Sequence, residues 1–141
     1  MVGWKGLCGG IGAFVAIVSF ATANAASDRW SAIDGDTILR TTVERRTLST
    51  EKIRLHDVDA PELHGACEAE RVQAVAARDL VADRLAAAAV IEVQSIPRRD
   101  KFGRTLAVVL VDGVSLSEIL LQAGLARPYH GEKRKSWCES P

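Results

Sequence analysis

The sequence predicts a small β-rich α+β domain, on three observations. Short runs dense in Thr, Ile, Leu and Val lie on both sides of one long stretch free of Gly and Pro. That stretch, Ala66 to Ala89, consists of helix formers. A second, shorter helical repeat follows a hairpin signal late in the chain.

The first 25 residues are set aside before the fold is read. A short n-region ends at Lys5, Gly6 to Ala23 is apolar or small, and Ala23-Asn24-Ala25 supplies the small residues of a cleavage site. The apolar run approaches the roughly 18 residues that span a bilayer, but its Gly and Ala content and its Ala-x-Ala end favour a cleaved signal peptide over an anchor. Residues 26–141 are then one exported domain, periplasmic or secreted, with no stable membrane association after cleavage. Removing 25 of 141 residues leaves 116, enough for one core and no second domain.

Asp36 to Glu44 reads as the first well-marked strand, bounded in front by Asp34-Gly35. Lys52 to Val58 reads as its partner, after a polar connection from Arg45 to Glu51. Within it Ile53 and Leu55 share one face, which puts Arg54 on the other, so a core and a charged site can lie on opposite sides. Pro61 removes a ladder donor and makes Asp59 to Glu62 a turn. In the helix from Ala66 to Ala89, Val72, Ala76 and Leu80 form one apolar row, and Val81 and Leu85 start another. Val90 to Ile96 is a β-rich run closed by Pro97. Gly103 to Val111 is a strand apolar on both faces, and Asp112-Gly113 marks a hairpin. Ser115-Leu116-Ser117-Glu118 has the pattern of a capping box opening a short helix, with Leu116, Ile119, Leu120 and Ala123 at helical spacing and Gly124 as its terminator. From Arg127 onward no periodicity appears.

Charge and cysteines bound the function. Residues 26–141 carry 17 basic against 18 acidic side chains, a balance that argues against avid non-specific binding to nucleic acid but not against a local basic site. Cys67 and Cys138 are an even pair in an oxidising compartment and favour a disulfide over two unrelated buried thiols. Such a bond would tie the tail to the body of the domain.

Five charged side chains in three short motifs carry the chemistry: Asp36, Arg54, Asp59, Glu62 and Arg104. The motifs are Ile33-Asp34-Gly35-Asp36-Thr37, Ile53-Arg54-Leu55 through Val58-Asp59-Ala60-Pro61-Glu62, and Asp100-Lys101-Phe102-Gly103-Arg104. Acidic side chains can hold a hard divalent cation, and two arginines can clamp a phosphate with planar, permanently charged forks. A carboxylate left over beside them can orient or activate a water. This is a minimal kit for metal-assisted cleavage of a phosphodiester. Singly, each residue is equally at home in a turn or a surface ion pair; the set is what speaks.

In that order the motifs resemble the staphylococcal nuclease (thermonuclease) family, from about Ser31 to Tyr129, including Asp-Lys-Phe-Gly-Arg-Thr-Leu-Ala and Gly124-Leu125-Ala126. The resemblance implies a five-stranded OB-like barrel with one long and one short helix packed on it. It implies a Ca²⁺-dependent phosphodiesterase that attacks DNA and RNA with little sequence preference and leaves 3′-phosphate ends. It assigns the metal to Asp36, Asp59 and the Ala60 backbone carbonyl, the phosphate to Arg54 and Arg104, and the catalytic carboxylate to Glu62. Lys101, Phe102 and Tyr129 are the candidates for further substrate contact. In three respects the chain departs from the family: its opening strand must be short or built differently, no C-terminal helix is evident, and Tyr129 is the only tyrosine.

The remaining candidates have plainer readings. His56, His64 and His130 lack a zinc-like spacing, Asp57 and Asp100 read as supporting or surface groups, and Lys133-Arg134-Lys135 reads as a solvated tail able to touch a polyanion backbone. The expectation is a monomeric, exported nuclease acting on DNA or RNA. Its rival is a non-catalytic polyanion-binding or cell-envelope accessory protein that keeps the fold.

Overall fold

The computed structural model describes residues 27–138; the signal-peptide reading of residues 1–25 therefore lies outside the described residues. The elements are β1 (Ser27–Ala32), β2 (Thr37–Glu44), β3 (Thr47–Leu55), β4 (Val58–Asp59), α1 (Glu68–Ala87), β5 (Ile91–Arg99), β6 (Thr105–Val111), β7 (Val114–Ser115), α2 (Leu116–Gln122) and β8 (Arg127–Pro128). The fold is α+β and β-rich, as expected. One mixed sheet runs in the order β1-β2-β3-β6-β5, with β7 on β6 and the β3–β6 pair parallel; β4 and β8 form a separate small ladder. The strand path is that of the expected barrel, but the sheet is not closed: among the described residues β1 and β5 share no ladder, and α1 packs against β1.

β1 is the opening strand, six residues long and paired with β2 from Ser27↔Val43 to Ala32↔Ile38. The stretch from Arg45 to Glu51 is not a loose connection. Arg45 and Arg46 take φ of 44° and 73°, as a two-residue primed hairpin turn requires, and Thr47–Glu51 continue as strand against β2. The β-branched threonines on this exposed arm supply the strand preference. Conversely, the run expected to reach Val58 breaks earlier, because Asp57 (φ 62°) turns the chain and hands Val58–Asp59 to β8.

Pro97 does not close β5, which runs on to Arg99 across a register shift between Ser95 and Arg99. β5 is an edge strand, where proline's missing donor leaves no ladder partner unpaired. The capping box fails as well. Ser115 is the N-cap of α2 but makes no side-chain cap, and the Ser117 hydroxyl instead donates to the His56 carbonyl at 3.1 Å. Gly124 ends α2 with φ 68°, as expected.

The buried side of α1 is Ala74, Ala77, Val81 and Leu85, whereas Val72 lies on the exposed side. It packs with Ile38, Ile53, Leu55, Val58, Ala107, Val109, Leu116 and Leu120 into one core. Burial of each large aliphatic side chain stabilises the fold by roughly 1.5–3 kcal/mol, an upper figure relative to an extended unfolded chain. β6 alternates fully buried Thr105, Ala107, Val109 and Val111 with half-buried residues between them, so both of its faces are covered. This central position fixes the ends of β2, β3 and β6, from which the charged residues project.

Candidate active site

Asp36 lies in the Ile33–Thr37 turn before β2, a turn closed by the Ile33 amide on the Thr37 carbonyl at 2.9 Å and by the Asp36 amide on Asp34 Oδ1 at 3.2 Å. The turn sits hard against α1 because Gly35 has no side chain. A Cβ there would be 2.7 Å from Ala77 Cβ and 2.8 Å from Ala60 Cβ. Two small residues, Ala77 and Ala60, thus receive the turn and set the depth of Asp36.

At that depth the carboxylate is 3% exposed. Its Oδ2 pairs with Arg54 Nη1 at 2.5 Å and accepts from the Ala60 amide at 3.0 Å, while Oδ1 accepts from the Thr37 hydroxyl at 3.2 Å. Burial pushes its pKa up to about 6, with the nearby Asp34 charge acting the same way; Arg54, the Ala60 amide and Arg134 offset only part of this. Arg54, on the face of β3 opposite Ile53 and Leu55, is itself buried and also donates to the Val58 carbonyl at 3.0 Å.

Asp59, on β4, is buried beside Asp36. Burial raises its pKa, while the Arg134 charge and a hydrogen bond from Trp137 Nε1 to Oδ2 at 3.1 Å pull it down. Glu62 follows Pro61 at the cleft edge with its side chain about half exposed (47%). Its backbone amide donates to Glu70 Oε1 at 3.3 Å, and Glu70 Oε2 accepts from the Ala66 amide at 2.9 Å. One buried carboxylate from the first turn of α1 therefore shapes the loop that carries Glu62.

Arg104 is aimed by Asp100, which accepts from Arg104 Nε at 2.6 Å and from the Arg104 and Phe102 amides at 2.9 Å. Burial opposes the ionised form of Asp100, but these bonds outweigh it and hold its pKa below the usual value. Arg104 Nη1 then donates to the Thr37 hydroxyl at 3.0 Å, which links it to Asp36. Asp100, expected as a supporting or surface group, is the residue that orients Arg104. Phe102 is 71% exposed and lies 5.3 Å from the Arg104 guanidinium and 5.0 Å from the Lys101 ammonium.

These groups border an open cleft of about 1020 Å³ whose lining includes Arg54, Glu62, Lys101, Phe102, Arg104 and Tyr129. Three of the five expected charged residues, Arg54, Glu62 and Arg104, thus line one cleft with the three substrate-contact candidates. Asp36 and Asp59, however, do not line the cleft. Between them and the open space stands Arg134, with Nε 2.7 Å from Asp59 Oδ1, Nη1 2.5 Å from Glu62 Oε1 and Nη2 3.9 Å from Asp36 Oδ2.

Arg134 is the residue of the candidate site that sequence reasoning did not single out, and the Lys133–Lys135 cluster is not simply a solvated tail. The signal was present: Arg134 lies four residues before Cys138, and Cys67 lies five residues after Glu62. The structure joins Cys67 to Cys138, so the tail must return to the Glu62 loop. Trp137, stacked on Arg127 at 3.6 Å, docks that return on Asp59.

The donor set fits a hard divalent cation. Its side chains are carboxylates, each within ion-pair distance of the Arg134 guanidinium, and Asp59 Oδ1 is shut off from solvent without a hydrogen bond. Arg134 Nε is close to that oxygen but does not point its N–H at it, so the contact is one of charge alone. The three histidines take no part in the carboxylate cluster: His56 and His130 pair with Asp57 at 2.8 and 3.4 Å.

The family model described as staphylococcal nuclease homologue matches residues 52–139 of this chain. Two proteins of Bacillus subtilis (strain 168), Endonuclease YncB and the SPbeta prophage-derived endonuclease YokF, are each 57% identical to it over 37 residues. That stretch covers 26% of this chain, 18% of the first relative and 12% of the second, so the chain spans under a fifth of either.

Proposed function

This chain belongs to the staphylococcal nuclease family, and we propose that it is an exported, Ca²⁺-dependent nuclease that hydrolyses phosphodiester bonds of DNA or RNA with little sequence preference. The observation that carries this reading is that Asp36, Asp59 and Glu62 each lie within ion-pair distance of one guanidinium, that of Arg134, with Arg54 paired to Asp36 and Arg104 linked to it through Thr37. The endonuclease names of the two relatives support it. Asp36, Asp59 and the Ala60 carbonyl would hold the Ca²⁺ ion, which would supply charge neutralisation at the phosphate.

The chain's own residues divide the remaining work. Glu62, half exposed at the cleft edge, accepts a proton from the attacking water or orients it. Arg104 presents its fork to the phosphate oxygens, already aimed by Asp100 and therefore at little further entropic cost. Arg54 adds permanent charge beneath them. Phe102, Lys101 and Tyr129 offer stacking faces and a charge along the strand path. The Cys67–Cys138 bond suits an oxidising compartment, in keeping with the small-residue pattern Ala23-Asn24-Ala25 at the end of the apolar run.

One observation favours a second reading, a polyanion-binding protein without catalysis: a guanidinium already fills the space between the carboxylates. Digestion of single-stranded DNA, duplex DNA and RNA by purified protein, with Ca²⁺ or with chelator, separates the two. Ca²⁺-dependent cleavage is expected. Retention of nucleic acid with no cleavage above the chelated blank would put the binding protein first.

A further inference from the structure

We propose that Arg134 is a built-in occupant of the cation site, carried on a disulfide-anchored strap that must swing out before a divalent cation can bind. This rests on the reading of Asp36, Asp59 and Glu62 as the groups around a Ca²⁺ ion.

The contacts are specific to that role. Arg134 reaches all three carboxylates, and among the described residues no other cationic group is within ion-pair distance of Asp59 or Glu62. Arg54 already neutralises Asp36, which leaves the charges of Asp59 and Glu62 for one guanidinium to share. A divalent ion balances both; Arg134 balances one. Arg134 hydrogen-bonds Glu62, but its contact with Asp59 lacks a directed hydrogen bond, so over that buried oxygen the guanidinium is held by charge. Such an occupant is displaced by a smaller and more highly charged competitor.

The chain around Arg134 is built as a strap. At one end the Tyr129 amide is bonded to the Asp57 carbonyl at 2.9 Å. At the other, Arg127 donates to the Lys135 and Ser136 carbonyls, Trp137 docks on Asp59, and Cys138 is bonded to Cys67. Between these anchors residues 130–134 are exposed and form neither helix nor strand, and Gly131 takes φ 102°. The span is free to lift while both ends stay attached. Moved outward into the cleft that it already lines, Arg134 meets the phosphate of a bound nucleic acid and exchanges one anionic partner for another. Cation and nucleic acid then each favour the open strap, and each tightens the binding of the other.

Ca²⁺ titration by calorimetry, without nucleic acid and with no readout of cleavage, tests the strap. A strap closed in nine-tenths of molecules or more weakens apparent Ca²⁺ binding about 10-fold or more. Arg134→Gln should therefore bind Ca²⁺ at least ~10-fold more tightly than wild type. Arg134→Met, which keeps the apolar stem, repeats the measurement should the glutamine variant fold poorly. Lys135→Gln removes an equal charge that makes no ion pair with the carboxylates and should change affinity less than about twofold. The Cys67→Ser/Cys138→Ser double variant should also bind more tightly, and should add nothing in the Arg134→Gln background. Equal or weaker Ca²⁺ binding by both Arg134 variants removes the strap and leaves the metal site standing. Ca²⁺ binding by neither wild type nor variants removes the metal site and the strap together. A tighter Arg134→Gln beside an unchanged cysteine variant keeps the occupant and overturns the role of the disulfide.

Discussion

Gly35 meets Ala77 of α1 so closely that a methyl group on Gly35 would lie 2.7 Å from the Ala77 methyl, inside any tolerable contact. The helix backbone fixes the Ala77 methyl, so the clash cannot be relieved by a rotamer change. Gly35→Ala should therefore push the Asp36 turn away from α1, costing about 1–3 kcal/mol and lowering Tm by roughly 4–8 °C per kcal/mol. Thermal melts of Gly35→Ala and of Gly35→Ala with Ala77→Gly check this. The double variant should recover part of the loss beyond the helix cost of the new glycine; an unchanged Tm in Gly35→Ala would show that the turn is not seated as described.

Three substitutions in the cleft should separate by kinetics. Glu62→Gln keeps size and removes charge, so kcat should fall at least about 100-fold while nucleic acid is still retained. Arg104→Ala should weaken both turnover and retention, because it removes a charge-assisted phosphate clamp. Asp100→Ala leaves Arg104 in place but unaimed, and about a 10-fold loss carried by both KM and kcat is expected. Steady-state rates on one oligonucleotide decide. Wild-type activity in Glu62→Gln would remove the proposed water-activating carboxylate.

Asp28 ties β1 to β2: its Oδ2 accepts from Arg40 Nη2 at 2.6 Å and its Oδ1 from the Thr42 hydroxyl at 2.7 Å. The Arg40 hydrogen bonds lead in holding its pKa below 3.8, with Thr42 second. A carboxyl whose folded pKa is depressed contributes stability that is present above its unfolded pKa and is lost as pH falls through the folded value. The Tm difference between wild type and Asp28→Asn should thus be full at pH 5 and above and should shrink below pH 3.8. A difference that stays constant down to pH 2 would rule out ionisation of Asp28 as its source.

The Cys67–Cys138 bond spans 71 residues and should show as a mass about two hydrogens below the dithiol form. Reduction should destabilise the domain by about 4 kcal/mol in the chain-entropy account. Mass spectrometry with alkylation, followed by melts with and without reductant, tests both. Two freely alkylated thiols in the native protein would exclude the bond.

The fold class was legible because local physics agrees with it along most of the chain. A run of helix formers became α1, β-branched runs became β2, β3 and β6, and glycine ended α2 where only glycine is unstrained. The errors fall where a local rule was overruled by a neighbour. Pro97 sits inside β5 because an edge strand needs no donor there, and Ser115 holds the N-cap position of α2 without its side chain making the expected cap. Val72 faces outward because the turn at Gly35 requires the alanine row of α1 beneath it.

The five charged residues were likewise legible, since carboxylates and arginines announce their chemistry by type and spacing. What those residues meet was not. Asp36 is buried to the point of a pKa near 6 only because Gly35, Ala60 and Ala77 let the turn sink. Arg134 lies 72 residues from Glu62 in sequence and 2.5 Å from it in space. Sequence by itself determined which groups are available and which elements carry them. Tertiary structure alone decided which cation faces the carboxylates, because ion pairing depends on distance and desolvation, and both are set by contacts between segments far apart in the chain.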